Sequence, residues 1–245
     1  MLFFKNLCDQ MNRRQFVVNN PVLQAAMDDK LSVARLEEVM CQYVGLVTMI
    51  TSYLFLCSYR FKDVPAVRDE LVRNLGEERG GLTDGYTHHE ILNRELMKLG
   101  VKPNLMVWDG PTREFLAKLS INIATAPEMF AVGVIYALEA TANPELVVVG
   151  HVLNEYARVR GLGLQLVSDA ALAGEHKVTA RSANELTLSD FFCLHIDNYE
   201  PGHRDRLADA VQQEFARPGA QEEFITGFNT TLDMMDLWWN GLAQV

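Results

Sequence analysis

The chain has 245 residues, 49% of them hydrophobic and 22% charged, which supplies a sizeable core and excludes wholesale disorder. Its 32 acidic and 22 basic residues leave a net charge of −10, which argues against nucleic acid as a partner because that requires a basic face. The four cysteines (Cys8, Cys41, Cys57, Cys193) lack paired spacing and read as reduced thiols of a cytoplasmic protein, and the opening Met1-Leu2-Phe3-Phe4-Lys5 is charged too soon for a secretory signal.

Helical signals run through almost the whole chain. Asn20-Pro21 offers a cap and a first-turn proline. Residues 31–61 form one long apolar-periodic segment. Within it, Tyr43 to Tyr59 carries no charge over 17 residues, just short of the ~18 that suggest a membrane span. Thr48, Thr51, Ser52 and Ser58 lie inside that stretch and its flanks are amphipathic, so it reads as a buried core helix rather than a membrane segment. Residues 63–78 predict a helix stopped by Gly80-Gly81. Thr87-His88-His89-Glu90 matches a capping box opening a helix to about Leu99, where Gly100 ends it. Pro103 to Pro111 reads as a connection, residues 112–124 and 127–141 as two helices, and 144–160 as a third. Residues 161–187, broken by Gly161, Gly163 and Gly174, carry the weakest pattern; Leu146 to Val149 is β-branched but short for a strand. Residues 189–216 are helical with a fault at Pro201-Gly202, and 220–243 form a final amphipathic helix bearing Trp238-Trp239. No internal repeat, low-complexity tract or linker appears. The expectation is an all-α single domain over residues 1–245, with its core at about 20–243.

Chemistry concentrates just after the apolar run at Phe191-Phe192. His195, Asp197, Glu200 and His203 place two imidazoles and two carboxylates within nine residues. That mix suits iron and manganese, and Glu200-x-x-His203 is the spacing by which paired-metal carboxylate proteins present two ligands from one helix. In a straight helix, His195 and His203 stand about 80° apart and Glu200 about 140° from His195, so the three do not share a face. Pro201 cannot donate to the carbonyl of Asp197, so the helix must kink or bulge nearby. A one-residue π-bulge between His195 and Glu200 brings the three side chains together. Asp197 then points away and caps or braces a histidine; with the bulge elsewhere, Asp197 replaces Glu200 as ligand.

Two more segments carry candidates. Glu139 is the only charged residue from Met129 to Asn143, so it needs a salt bridge, an exposed stripe or a metal. Glu77-Glu78 turns through glycines toward His88-His89, which is either an ordinary acidic helix end with solvated histidines or a further ligand group.

In this order the residues resemble the heme-oxygenase-like diiron oxidases, a seven-helix superfamily related in fold to thiaminase-type and pyrroloquinoline-quinone-synthase-type proteins. The family pattern is a Glu closing Asn-Leu-x-x-Glu, a His about ten residues on, a lone Glu on the next-but-one helix, and His-x-x-x-Asp/Glu-x-x-His. The chain supplies Asn74-Leu75-Gly76-Glu77-Glu78, His88, Glu139, and His195 with Glu200 and His203. Asn20-Pro21, Leu31-Ser32 and Gln42-Tyr43 are similar too, and the likeness runs over residues 20–240. The last motif is one residue longer than the family's, and the interval from Glu139 to His195 is longer as well.

The resemblance implies an all-α, single-domain heme-oxygenase-like seven-helix bundle. It also implies two irons, cycling between Fe2+ and Fe3+, held by Glu78, His88, Glu139, His195, Glu200 and His203, with dioxygen as co-substrate and an external electron donor. The reaction implied is N-oxygenation, carbon–carbon cleavage or oxidative decarboxylation of a small amino-acid-like or fatty-acid-like substrate. Tyr136 and Phe192, each three residues before a ligand, read as core or as pocket wall. Tyr86 reads as a gate, and Arg204 and Arg206 as partners of surface acids or of a substrate carboxylate. Two other readings stand beside this one. One is a metal-free thiaminase-type hydrolase with Cys193 as nucleophile. The other is a helical interaction protein with a vestigial metal site, in which Trp238-Trp239 dock a partner or close a homodimer. His151 and Glu155 share ligand spacing but have no third ligand near in sequence.

Overall fold

The computed structural model describes residues 2–103, 107–180 and 182–244, and these are helical with no strand among them. Residues 104–106 of the expected connection lie outside the described residues. Helix α1 (Leu2–Arg13) buries Phe4, Leu7 and Met11, a stripe at helical spacing. The core therefore begins well before residue 20, a correction to the expected boundary. Helix α2 (Pro21–Met27) starts on Asn20, whose side chain accepts from the amides of Val22 and Leu23 at 3.1 Å. Helix α3 (Val33–Arg60) follows, then α4 (Pro65–Gly76), which runs into a π-turn at Glu77–Gly81. Helix α5 (His88–Lys98) opens on the expected Thr87/Glu90 capping box. Helices α6 (Gly110–Thr125) and α7 (Glu128–Val159) precede a loop region that, among its described residues, holds the short α8 (Asp169–Leu172) and a 3-10 turn at Ala183–Glu185. Helix α9 (Leu188–Leu194) continues through a second π-turn (His195–Tyr199) into α10 (Glu200–Val211), and α11 (Ala220–Ala243) closes the bundle.

The axis of the bundle is α7, which is apolar on every side and buried along nearly its whole length. It is one helix where two were expected. Pro144 lies inside it, removing a single N–H and leaving the rest of the hydrogen-bond ladder to the packed neighbours, and Leu146 to Val149 are helical. Helix α11 crosses α7 in backbone contact. A Cβ at Gly133 would overlap the carbonyl oxygen of Phe224, and one at Gly227 would overlap that of Phe130. Only glycine permits that approach.

Helices α3 and α7 are long and apolar enough to span a membrane, but their apolar windows are mostly buried inside the protein's own core. Trp238 and Trp239 are also buried. Trp238 stacks on Phe115 at 4.9 Å and donates to the Thr112 hydroxyl at 3.0 Å. Trp238 thereby holds α11 against α6 and Trp239 packs on Phe16 and Tyr43, so neither ring is exposed for a docking seam, which corrects the expectation for these two side chains.

Candidate metal centre

All six expected ligand side chains are buried, and four structural segments bring them together. Glu78 sits in the π-turn after α4, where Gly80 takes φ +94° and reverses the chain; a Cβ there would lie 2.5 Å from the Gly85 carbonyl carbon. The reversal returns the chain to the first turn of α5, and His88 Nδ1 comes to 3.0 Å from Glu78 Oε1. His195 Nδ1–H donates to the Phe191 carbonyl at 2.7 Å, which leaves Nε2 as the lone-pair atom, 3.1 Å from His88 Nδ1. The Tyr199 ring stacks on His88 at 5.0 Å and fixes its plane.

The other half of the cluster gathers around His203. Its Nε2–H donates to Glu77 Oε2 at 2.8 Å. Glu77 also accepts from Arg206 Nη2 at 3.0 Å, and Arg206 Nε donates to Glu70 at 2.7 Å. This chain of braces turns His203 Nδ1 inward, 3.3 Å from Glu139 Oε2 and 3.9 Å from Glu200 Oε2. Nδ1 forms an ion pair with Glu139 when the ring is protonated, but the contact is poorly aligned for a hydrogen bond. Asn74 Nδ2 donates to Glu139 Oε1 at 2.6 Å and orients that carboxylate. Ligand atoms of Glu78, Glu200 and His203 lie within 4.8 Å of one another, so Glu78 stands between the two halves.

The second π-turn carries the geometry. It falls at His195–Tyr199, the span in which the eight-residue interval and Pro201 call for one. His195, Glu200 and His203 all turn inward as a result, while Asp197 is exposed and meets the Asn198 amide at 3.2 Å. The histidine brace is Glu77, not Asp197, which corrects that part of the expectation.

Burial and the neighbouring charges shift the titrations of these groups in opposite directions. Burial pushes Glu78 up, but His88, His195 and His203 outweigh it and hold the carboxyl at about 2. Burial, with His88 beside it, depresses His195 to about 3. Burial would also depress His203, yet Glu139, Glu200 and Glu78 raise it to about 10. Burial and the neighbouring Glu139 drive Glu200 well above the usual carboxylate range. A buried group of three carboxylates and three imidazoles, in which His88 Nε2 makes no hydrogen bond, has the donor chemistry to hold a metal ion. Glu78, Glu200 and His203 fit a metal ion held between them.

A narrow cavity of about 60 Å³ opens on the cluster. Tyr43, Leu46, Val47 and Ile50 of α3, Leu92 of α5, and Leu138, Ala142, Glu145 and Leu146 of α7 line it, with Phe191 beside His195. Tyr136 is packed instead among Phe4, Phe224 and Phe228, and Phe192 lies in the core, so neither is pocket wall. Tyr86 is partly exposed and does not line the cavity. Arg204 pairs with Asp205 and Arg206 with Glu70 and Glu77, as expected for partners of protein acids. The Cys193 thiol donates to the His176 carbonyl at 3.1 Å and burial raises it, while the His176 ring is paired with Asp190, so nothing activates the sulfur. Glu155 is paired with Arg158. Sequence reasoning missed Glu77 as a brace, and Tyr43 and Glu145 as pocket residues. A charge directly after Pro144 in an apolar helix was the available signal for Glu145.

The family model described as "Domain of Unknown Function with solved-structure structure (DUF3865)" matches residues 5–163 and 178–245. Two crystal structures of a CADD-like protein of unknown function from Nostoc punctiforme PCC 73102 are similar in fold at 24% identity. One, at 2.00 Å resolution, gives a TM-score of 0.77 over 100% of this chain and 98% of that one; the other, at 1.35 Å, gives 0.74 over 100% and 96%. No curated protein matches the sequence.

Proposed function

The chain belongs to the DUF3865 family, and we propose that it is a non-heme diiron oxidase or oxygenase acting on a small organic substrate. The observation that carries this reading is a cluster of six buried ligand side chains in two adjoining halves, in which Glu78, Glu200 and His203 offer ligand atoms within 4.8 Å of one another. Glu78, His88 and His195 would hold one iron, and Glu139, Glu200 and His203 the other, with Glu78 between them. When bound, the irons supply activation of dioxygen for N-oxygenation, carbon–carbon cleavage or oxidative decarboxylation.

The chain's own residues do the rest. Glu77, backed by Arg206 and Glu70, keeps His203 in the tautomer with Nδ1 inward. The Phe191 carbonyl does the same for His195, and Asn74 aims Glu139. Leu46, Val47, Ile50, Leu92 and Leu146 keep bulk water from the reacting end of the cavity and pack a substrate's apolar part. The four free cysteines fit a cytoplasmic setting, and electrons would come from an external donor.

Anaerobic Fe(II) titration followed by dioxygen addition tests the reading. The expected result is about two irons per chain, oxygen consumption, and loss of the second iron in Glu200→Ala. Failure to bind Fe(II), or loss of binding in Asp197→Ala but not in Glu200→Ala, would overturn it.

A further inference from the structure

Glu145 is the one carboxyl of the cavity that the proposed ion pair leaves unused. It is 2% exposed and lies six residues after Glu139 on α7, about 9 Å further along the helix axis. Thr141, one turn earlier, is its hydrogen-bonding neighbour, and no lysine, arginine or histidine pairs with it among the described residues. The surrounding wall is apolar apart from Tyr43 and the cluster itself. A buried carboxyl facing a cavity without a cation is costly unless something arrives to pair with it. The only bases among the residues lining the cavity are His88 and His195 of the cluster, and no lysine or arginine lines it, so at the Glu145 end a ligand carboxylate would meet an acid and no fixed cation.

We propose that Glu145 is the ligand-anchoring carboxylate of this cavity and that the molecule it holds is an amine on an apolar body rather than a free fatty acid. The ammonium pairs with Glu145 while the apolar body lies along Leu46, Val47, Ile50 and Leu146, toward the cluster. Burial, partly offset by the Thr141 hydroxyl, pushes the Glu145 carboxyl to about 8, and an ammonium in contact with it returns it to the charged form. Calling this molecule the substrate rests on the diiron reading; its binding to Glu145 does not.

The test is calorimetric titration of the full-length chain with n-octylamine, n-octanoate and n-octanol, in chelator-treated protein and again after anaerobic Fe(II) loading. Wild type is expected to bind octylamine more tightly than octanoate in both forms. Glu145→Gln should weaken octylamine roughly tenfold or more while leaving octanol unchanged, and Glu145→Asp should keep the amine preference. Glu78→Gln should lose iron yet keep the amine preference, which separates Glu145 from the ligand carboxylates. Equal octylamine affinity in wild type and Glu145→Gln, or octanoate binding wild type as tightly as the amine, overturns the inference. Iron binding with Glu145-independent ligand affinity sinks this inference alone; Glu145-dependent amine binding without iron sinks the diiron reading alone. Circular dichroism and Glu145→Asp keep the outcome readable if the Gln variant folds poorly.

Discussion

Removing the Glu77 brace should cost the second ion far more than the first. Glu77 accepts from His203 Nε2 at 2.8 Å and from Arg206 at 3.0 Å, but it touches neither Glu78 Oε1 nor the His88–His195 pair. Loss of a partner that orients a metal-binding histidine typically costs 10–100-fold in affinity, or about 1.4–2.7 kcal/mol. Glu77→Gln keeps an acceptor oxygen but loses the charge, so it belongs near tenfold. Glu77→Ala leaves the ring free to rotate and Arg206 held by Glu70 alone, so it belongs near a hundredfold. The Glu77 side chain is only 16% exposed and pairs with His203 and Arg206, so the metal-free fold should weaken as well, more in Glu77→Ala than in Glu77→Gln. Anaerobic Fe(II) competition against a chromophoric chelator resolves the two affinities, and thermal unfolding in chelator checks the fold. An unchanged second affinity in Glu77→Ala, or equal losses at both sites in a folded protein, would refute the bracing argument.

Three further outcomes follow from particular contacts. Glu145 has its folded pKa raised to about 8, above the 4.5 of an ordinary glutamate, so its contribution to stability is full below pH 4.5 and is lost as pH rises toward 8. The slope is about 1.4 kcal/mol per pH unit, or on the order of 5 kcal/mol over that window. Urea unfolding in chelator should therefore show Glu145→Gln gaining on wild type from pH 5 to pH 8, and a difference that stays flat would contradict the burial argument. Gly227→Ala forces a methyl into the Phe130 carbonyl and should lower stability by about 1–3 kcal/mol in the same assay; a neutral substitution would mean that α7 and α11 are not in backbone contact. Cys193→Ser should leave iron content and oxygen consumption unchanged, because the thiol donates to a backbone carbonyl away from the ligands; lost activity with normal iron would favour a nucleophilic role for the sulfur.

Much of this organisation is legible in the amino-acid order because it rests on local rules. Asn20, Thr87 and Glu90 are caps that work within one turn of helix, and α2 and α5 start where they predict. The π-turn before Glu200 follows from a local constraint, since Pro201 withdraws a donor and three ligand side chains do not otherwise share a face. What escapes notice is tertiary. Pro144 looks like a break, yet neighbours on all sides of α7 hold the helix together across it. Tyr43 and Glu145 look like core and surface residues, because only the packing of α3 against α7 decides that both face the cavity. Trp238 and Trp239 look available for a partner until α6 is laid against α11. Glu77 and Glu78 are adjacent and chemically identical, and only the reversal at Gly80 makes one a brace and the other a ligand.

Anomalous diffraction at the iron edge, from crystals loaded anaerobically with saturating Fe(II), tests the central claim most directly. The account predicts two peaks, one held by Glu78, His88 and His195 and one by Glu139, Glu200 and His203, with Asp197 in solvent. No peak in this cluster, or iron bound by Asp197 with Glu200 turned away, would contradict it.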